Sequence, residues 1–131
     1  MCSQNINKPL KIRIRDNSIR FRLTKSEVDA FEKEGHLESK TEFGFAEFVY
    51  AIQILDGIDS LAATYIGNKL TLFMPSIMQK EWISTDKVGY DAVMNTGPGK
   101  TLSLLVEKDW ACIDKSDEDQ SDNFENPNAA C

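Results

Sequence analysis

The sequence predicts a mainly β, α+β fold. It is expected to be an antiparallel, curved sheet or a barrel built from hairpins, with two short helices in the order ββαββ–ββαββ. Three observations carry this expectation. Lys11 to Leu23 (KIRIRDNSIRFRL) alternates polar and apolar residues on both sides of Asp16-Asn17, the period-two pattern of half-buried strands around a tight turn. Further β-rich runs flank Gly67-Asn68 and Thr96-Gly97-Pro98-Gly99, which suit hairpin turns. Helical punctuation follows Leu23 and again Met74.

The first strand pair buries Ile12, Ile14, Ile19, Phe21 and Leu23 on one face. Lys11, Arg13, Arg15, Arg20 and Arg22 project from the other. Thr24 and Glu27 have the spacing of a capping box. Val28 and Phe31 supply an apolar stripe behind it, and Gly35 suits a left-handed helix cap. HLESKTEF then alternates, with His36, Glu38, Lys40 and Glu42 in phase. EFVYAIQIL, from Glu47, is apolar enough for a strand near the middle of a sheet. Asp56-Gly57 marks a turn before the LAATYIG and KLTLFM hairpin. Pro75 opens the second helix, SIMQKEWIS. GYDAVMN and KTLSLLVEKDW form the last hairpin. The matching order of elements suggests two similarly wired halves.

With 131 residues, 41% hydrophobic and 27% charged, the chain reads as one ordinary globular domain. Residues 1–113 are expected to form the compact β-rich body, and residues 114–131 an acidic, extended or disordered tail. Within that tail, Phe124 and Asn126-Pro127 offer a small anchor. The formal net charge of −6 belongs to the C-terminal end. Of 21 acids and 15 bases, seven acids and one base fall from Asp109 onward, which leaves the body neutral. No apolar run approaches the roughly 20 residues that cross a bilayer. No membrane partner is expected. The three cysteines lack paired spacing. That fits a reducing cytoplasm, with Cys112 and Cys131 unbonded.

The stretches KIRIRDNSIRFRLTKSEV, GPGKTLSLLVEKDWAC and DNFENPNAAC together resemble a family of small bacterial proteins of unknown function. The resemblance spans nearly the full chain. It implies a compact standalone domain and carries over no site residues.

No catalytic signature is present. His36 stands alone among scattered thiols, without the paired ligand spacing of zinc sites, and supports no triad. Asp117-Glu118-Asp119 lacks the spacing of a calcium loop. Gly97-Pro98-Gly99-Lys100 lacks that of a phosphate loop. Tyr50, Tyr65 and Phe73 either stack bases or fill the core. The basic hairpin is the remaining constellation. Arginine's planar fork grips phosphate or carboxylate at two points. Lys11, Arg13, Arg15, Arg20, Arg22 and Lys40 are therefore the candidate anion-binding residues. The bland reading is a solvated face balanced by carboxylates, with Glu38 and Glu42 as the expected suppliers.

The expected function is a cytoplasmic, non-enzymatic binding module without a cofactor. Its partner would be a phosphate-bearing ligand, an acidic protein segment or the chain's own tail. The alternative is a polyphosphate-processing enzyme with the charged face turned into a barrel. Glu38 and Glu42 would then hold magnesium. Such a tunnel looks somewhat like the triphosphate tunnel metalloenzymes. Those open with Glu-x-Glu-x-Lys, where this chain has Lys-Ile-Arg-Ile-Arg.

Overall fold

The computed structural model describes residues 10–109 and Phe124. Strands β1 (Lys11–Arg15) and β2 (Ser18–Leu23) lead into helix α1 (Lys25–Glu34), followed by β3 (His36–Glu42) and β4 (Glu47–Ile54). Strands β5 (Ala62–Ile66) and β6 (Lys69–Met74) lead into α2 (Ser76–Ser84), then β7 (Gly89–Gly97) and β8 (Lys100–Lys108). This is the expected ββαββ–ββαββ order.

The pairing differs from the expected antiparallel sheet or barrel. Among the described residues the strands form two separate four-stranded sheets, β1-β2-β8-β7 (sheet A) and β3-β4-β6-β5 (sheet B), and no closed barrel. Both sheets are mixed, because their central pairs, β2·β8 and β4·β6, are parallel. The reason lies in the helices. Each one carries the chain from one sheet to the other, so every hairpin stacks beside a hairpin from the opposite half of the sequence. Exchanging the two halves converts the strand order of sheet A into that of sheet B.

Local signals act as read. The Thr24 hydroxyl accepts from the Glu27 amide at 3.4 Å, and the Glu27 carboxylate accepts from the Thr24 amide at 2.9 Å, a complete capping box. Gly35 ends α1 at φ 71°, and its N–H reaches Phe31 O. Pro75 sits one position before α2, as its N-cap, and has no cap bond of its own. Asp56 supplies the cap instead, accepting from the Ser76 amide at 2.8 Å. That bond holds its carboxyl below the usual range.

One apolar core joins both sheets and both helices. It contains Phe21, Leu23, Val28, Phe31, Ile52, Leu72, Met74, Trp82, Leu104 and Val106. Gln79 donates to Phe31 O at 2.9 Å and ties α2 to α1. Trp82 donates its indole N–H to Val88 O at 3.0 Å. The parallel pairs fix the molecule's polarity. Strands β2, β4, β6 and β8 all point toward the helices, so all four hairpin tips gather at the opposite end.

Urea unfolding is expected to report three costs. Thr24→Ala loses the cap at about 1 kcal/mol. Phe31→Ala, in the core, loses about 3–5 kcal/mol. Gly89→Ala, usually a mild gain in stability, is destabilising here. Its Cβ would collide with Val106 O and lie 2.8 Å from Glu107 Cα. An unchanged midpoint for Gly89→Ala would refute that close approach.

Candidate anion-binding face

The outer face of sheet A is built by register. Across the β1–β2 hairpin, Lys11 pairs with Arg22, Arg13 with Arg20 and Arg15 with Ser18. Strand β8 then places Glu107 beside Arg22, Leu105 beside Arg20 and Ser103 beside Ser18. Opposed cations at such spacing repel unless carboxylates intervene, and β8 delivers them to one end only.

At the helix end the charges are closed. Lys11 meets Asp109 at 2.6 Å, and Arg22 meets Glu107 at 2.9 Å and Asp109 at 3.7 Å. Arg20 reaches Glu107 at 3.7 Å. The Asp109 side chain is only 3% exposed, so it requires these partners to stay buried as an anion. Burial, and then the neighbouring Arg22, hold the Arg20 guanidinium below its usual range, with Glu107 opposing. Arginine remains charged at neutral pH all the same.

Toward the hairpin tips the balance changes. Among the described residues neither Arg13 nor Arg15 has a carboxylate partner. They border a hollow of about 350 Å³ with Arg20, Ser18, Ser103 and Asp91, floored in part by Val93 and Leu105. Three guanidinium groups and two hydroxyls around one concavity are donors suited to an anion's oxygens. A second cleft of about 440 Å³ groups Lys11, Arg13, Arg20 and Arg22 with Leu10, Ile12 and Tyr50.

Other expected site residues lie elsewhere. Lys40, Glu38 and Glu42 project from β3 in sheet B. There Lys40 pairs with Glu47 at 3.2 Å and Glu42 at 3.4 Å, and Lys69 pairs with Glu38 at 3.0 Å. The Lys69 bond holds the Glu38 carboxyl below its usual range. Glu38 and Glu42 therefore do not balance the basic hairpin; Glu107 and Asp109 do. Four residues apart on a strand, Glu38 and Glu42 stand roughly 13 Å apart, too far to share one ion. No group of three or more potential metal ligands occurs among the described residues. The charged tunnel is not formed either, because the cations face outward and the space between the sheets is apolar. Of the aromatics, Tyr50 is buried, Phe73 half-buried and Tyr65 exposed.

Glu107 and Asp109 escaped sequence reasoning because their strand's neighbour is chosen by the parallel β2·β8 pairing, which no local pattern encodes. The Phe124 anchor was legible. Its N–H donates to Asp109 O at 2.8 Å, and its ring packs on the core and lies 5.2 Å from Lys108 Nζ. The other residues of the expected tail, and Cys2, Cys112 and Cys131, lie outside the described residues, so the expectations about disulfides and tail disorder fall there too. No helix among the described residues is long and apolar enough to cross a membrane.

Removing the half-buried Phe124 ring is expected to cost about 1 kcal/mol. Asp109→Asn removes the buried anion that Lys11 and Arg22 share and should cost about 2 kcal/mol, with little relief from salt. Denaturant midpoints at low and high ionic strength measure both, and a wild-type midpoint for Asp109→Asn would contradict the pairing.

A family model described as a family of unknown function (DUF7009) matches residues 10–128. No curated protein and no solved structure matches the chain.

Proposed function

The chain belongs to a family of unknown function (DUF7009), and from that premise we propose that it is a non-enzymatic binding module. Its arginine-bearing face on sheet A takes a phosphate-bearing or acidic partner. One observation carries the reading. Arg13 and Arg15, without carboxylate partners among the described residues, border a hollow that also holds Arg20, Ser18 and Ser103. Unneutralised guanidinium groups around a concavity favour an anion that meets two or more of them at once. The outward direction of the cations favours binding over polyphosphate processing, which needs an enclosed charged site. The proposed setting is the cytoplasm, on the strength of three cysteines without paired spacing.

The chain's own acids are the competing anion in this reading. Asp109, the first of the C-terminal acids, already pairs with Lys11 and Arg22. The Phe124 N–H donates to Asp109 O at 2.8 Å, so the two residues that flank segment 110–123 meet at the helix end. That segment contains Asp114, Asp117, Glu118, Asp119 and Asp122. Tethering gives such groups an effective concentration on the order of millimolar.

Titration with inorganic phosphate, tripolyphosphate and a single-stranded oligonucleotide, with and without magnesium, tests the function. Expected are salt-sensitive binding without turnover and about tenfold or greater weakening by Arg13→Glu with Arg15→Glu. Metal-dependent hydrolysis would favour the enzyme, and indifference to the arginine changes would remove the face. Converting the five acids of the segment to Asn or Gln, with Phe124 kept, should tighten binding severalfold at low salt. Equal affinity would end the competition idea.

A further inference from the structure

The end of the molecule away from the helices carries a feature that the anion-binding face does not explain. The four hairpin tips meet there, and between the sheets lies a hollow of about 390 Å³. Its lining is nearly all apolar: Ile14 and Ile19 from β1 and β2, Phe48 from β4, Tyr65 from β5, and Met94 and Leu102 from β7 and β8. At its wall the Ala63 N–H donates to Met94 Sδ at 3.3 Å, joining an edge strand of one sheet to an edge strand of the other. An aromatic run leads from the core to the rim. Phe21 meets Tyr50 at 6.3 Å, Tyr50 meets Phe48 at 5.8 Å, and Phe48 meets Tyr65 at 6.3 Å.

Large apolar side chains that line this hollow still face water, Ile14 at 57% and Tyr65 at 60% exposure. Beside them the β3–β4 tip exposes Phe43 and Phe45, the latter at 99%. A rim of this kind is costly to leave open, and small-molecule sites are concave and mostly apolar with a few polar groups beside them. The cationic hollow adjoins it, for Ile19 lines both concavities and Ile14 sits between Arg13 and Arg15 on an edge strand. A long guanidinium side chain on an edge can wrap toward the opening.

We infer that the open end binds a single-chain anionic amphiphile, its acyl chain between the sheets and its head group on Arg13 and Arg15. The head-group half rests on the anion-binding reading; the apolar half does not. A cavity of about 150 Å³ already admits benzene, so the hollow has room for a chain of medium length.

The full chain is titrated calorimetrically with hexanoate, octanoate, decanoate and decanol, each below its micelle concentration, and with inorganic phosphate. Affinity is expected to rise about fourfold per added methylene until the hollow is full, with decanol binding more weakly than decanoate. Ile14→Ser with Tyr65→Ser, both at exposed positions, should lower affinity for both decyl ligands by about tenfold. Arg13→Glu with Arg15→Glu should weaken decanoate alone. Affinity independent of chain length overturns the inference while leaving the anion face intact if phosphate still depends on the arginines. Chain-length dependence without any arginine effect overturns the anionic head group, and the anion-binding reading falls only if phosphate binding is also indifferent to the arginines. Capture by phosphatidylglycerol vesicles without binding of monomeric decanoate replaces the amphiphile with a bilayer surface.

Discussion

The parallel pairing of β2 with β8 governs this structure. It sets Arg22 beside Glu107 and Arg20 beside Leu105, and its continuation, from the Asp109 N–H to Leu23 O at 2.8 Å, places Asp109 beneath Lys11 and Arg22. Five like charges on one hairpin would otherwise repel across spacings of roughly 5 Å. Carboxylates arriving from the far end of the chain permit the hairpin to carry them. Because β8 contributes acids only at its helix end, compensation is uneven. The cationic field is left at the tips, where leucine and serine occupy the corresponding β8 positions.

The same pairing, with its counterpart β4·β6, sets the shape. A hairpin alone cannot bury its apolar face. Here each one finds cover by stacking beside a hairpin from the other half and across from the opposite sheet. The crossover helices close one end, where Phe31 and Trp82 are fully buried. Nothing equivalent among the described residues closes the other. Core packing therefore grades along the strands, from fully buried Leu23, Ile52, Met74 and Val106 to exposed Ile14, Tyr65 and Ile66. Charge and apolar exposure rise together toward the tips, and the two candidate sites lie there as neighbours.

Sheet B shows what balanced charge looks like on the same scaffold. Lys40 lies between Glu42 and Glu47, and Lys69 meets Glu38. Lys40 and Glu42 stand two residues apart on β3, and β3–β4 and β4–β6 register bring Glu47 and Lys69 to the same face. Sheet A draws its counter-charges from Glu107 on β8 and Asp109 just beyond it, so the β2·β8 register and its continuation decide where the cations are balanced.

Sequence by itself determined what depends on near neighbours. Alternation specified the strands, because side chains two residues apart share a face. Turn residues specified the hairpins. Thr24, Glu27 and Gly35 specified both ends of the first helix through hydrogen bonds that reach no more than four residues. The basic face was legible for the same reason, as was Phe124, a lone aromatic in a polar segment. Tertiary structure alone decided which hairpins lie side by side, since parallel neighbours separated by one strand (β4·β6) or by two helices and five strands (β2·β8) leave no local periodicity. It therefore decided that the sheets are two and mixed. It sent Lys40, Glu38 and Glu42 to a different sheet from the arginines, and it made Glu107 and Asp109 the partners of the basic face. Whether the cations face solvent or an interior was also decided there. Alternation states that two faces differ, and only packing against a second sheet chooses which of them is buried.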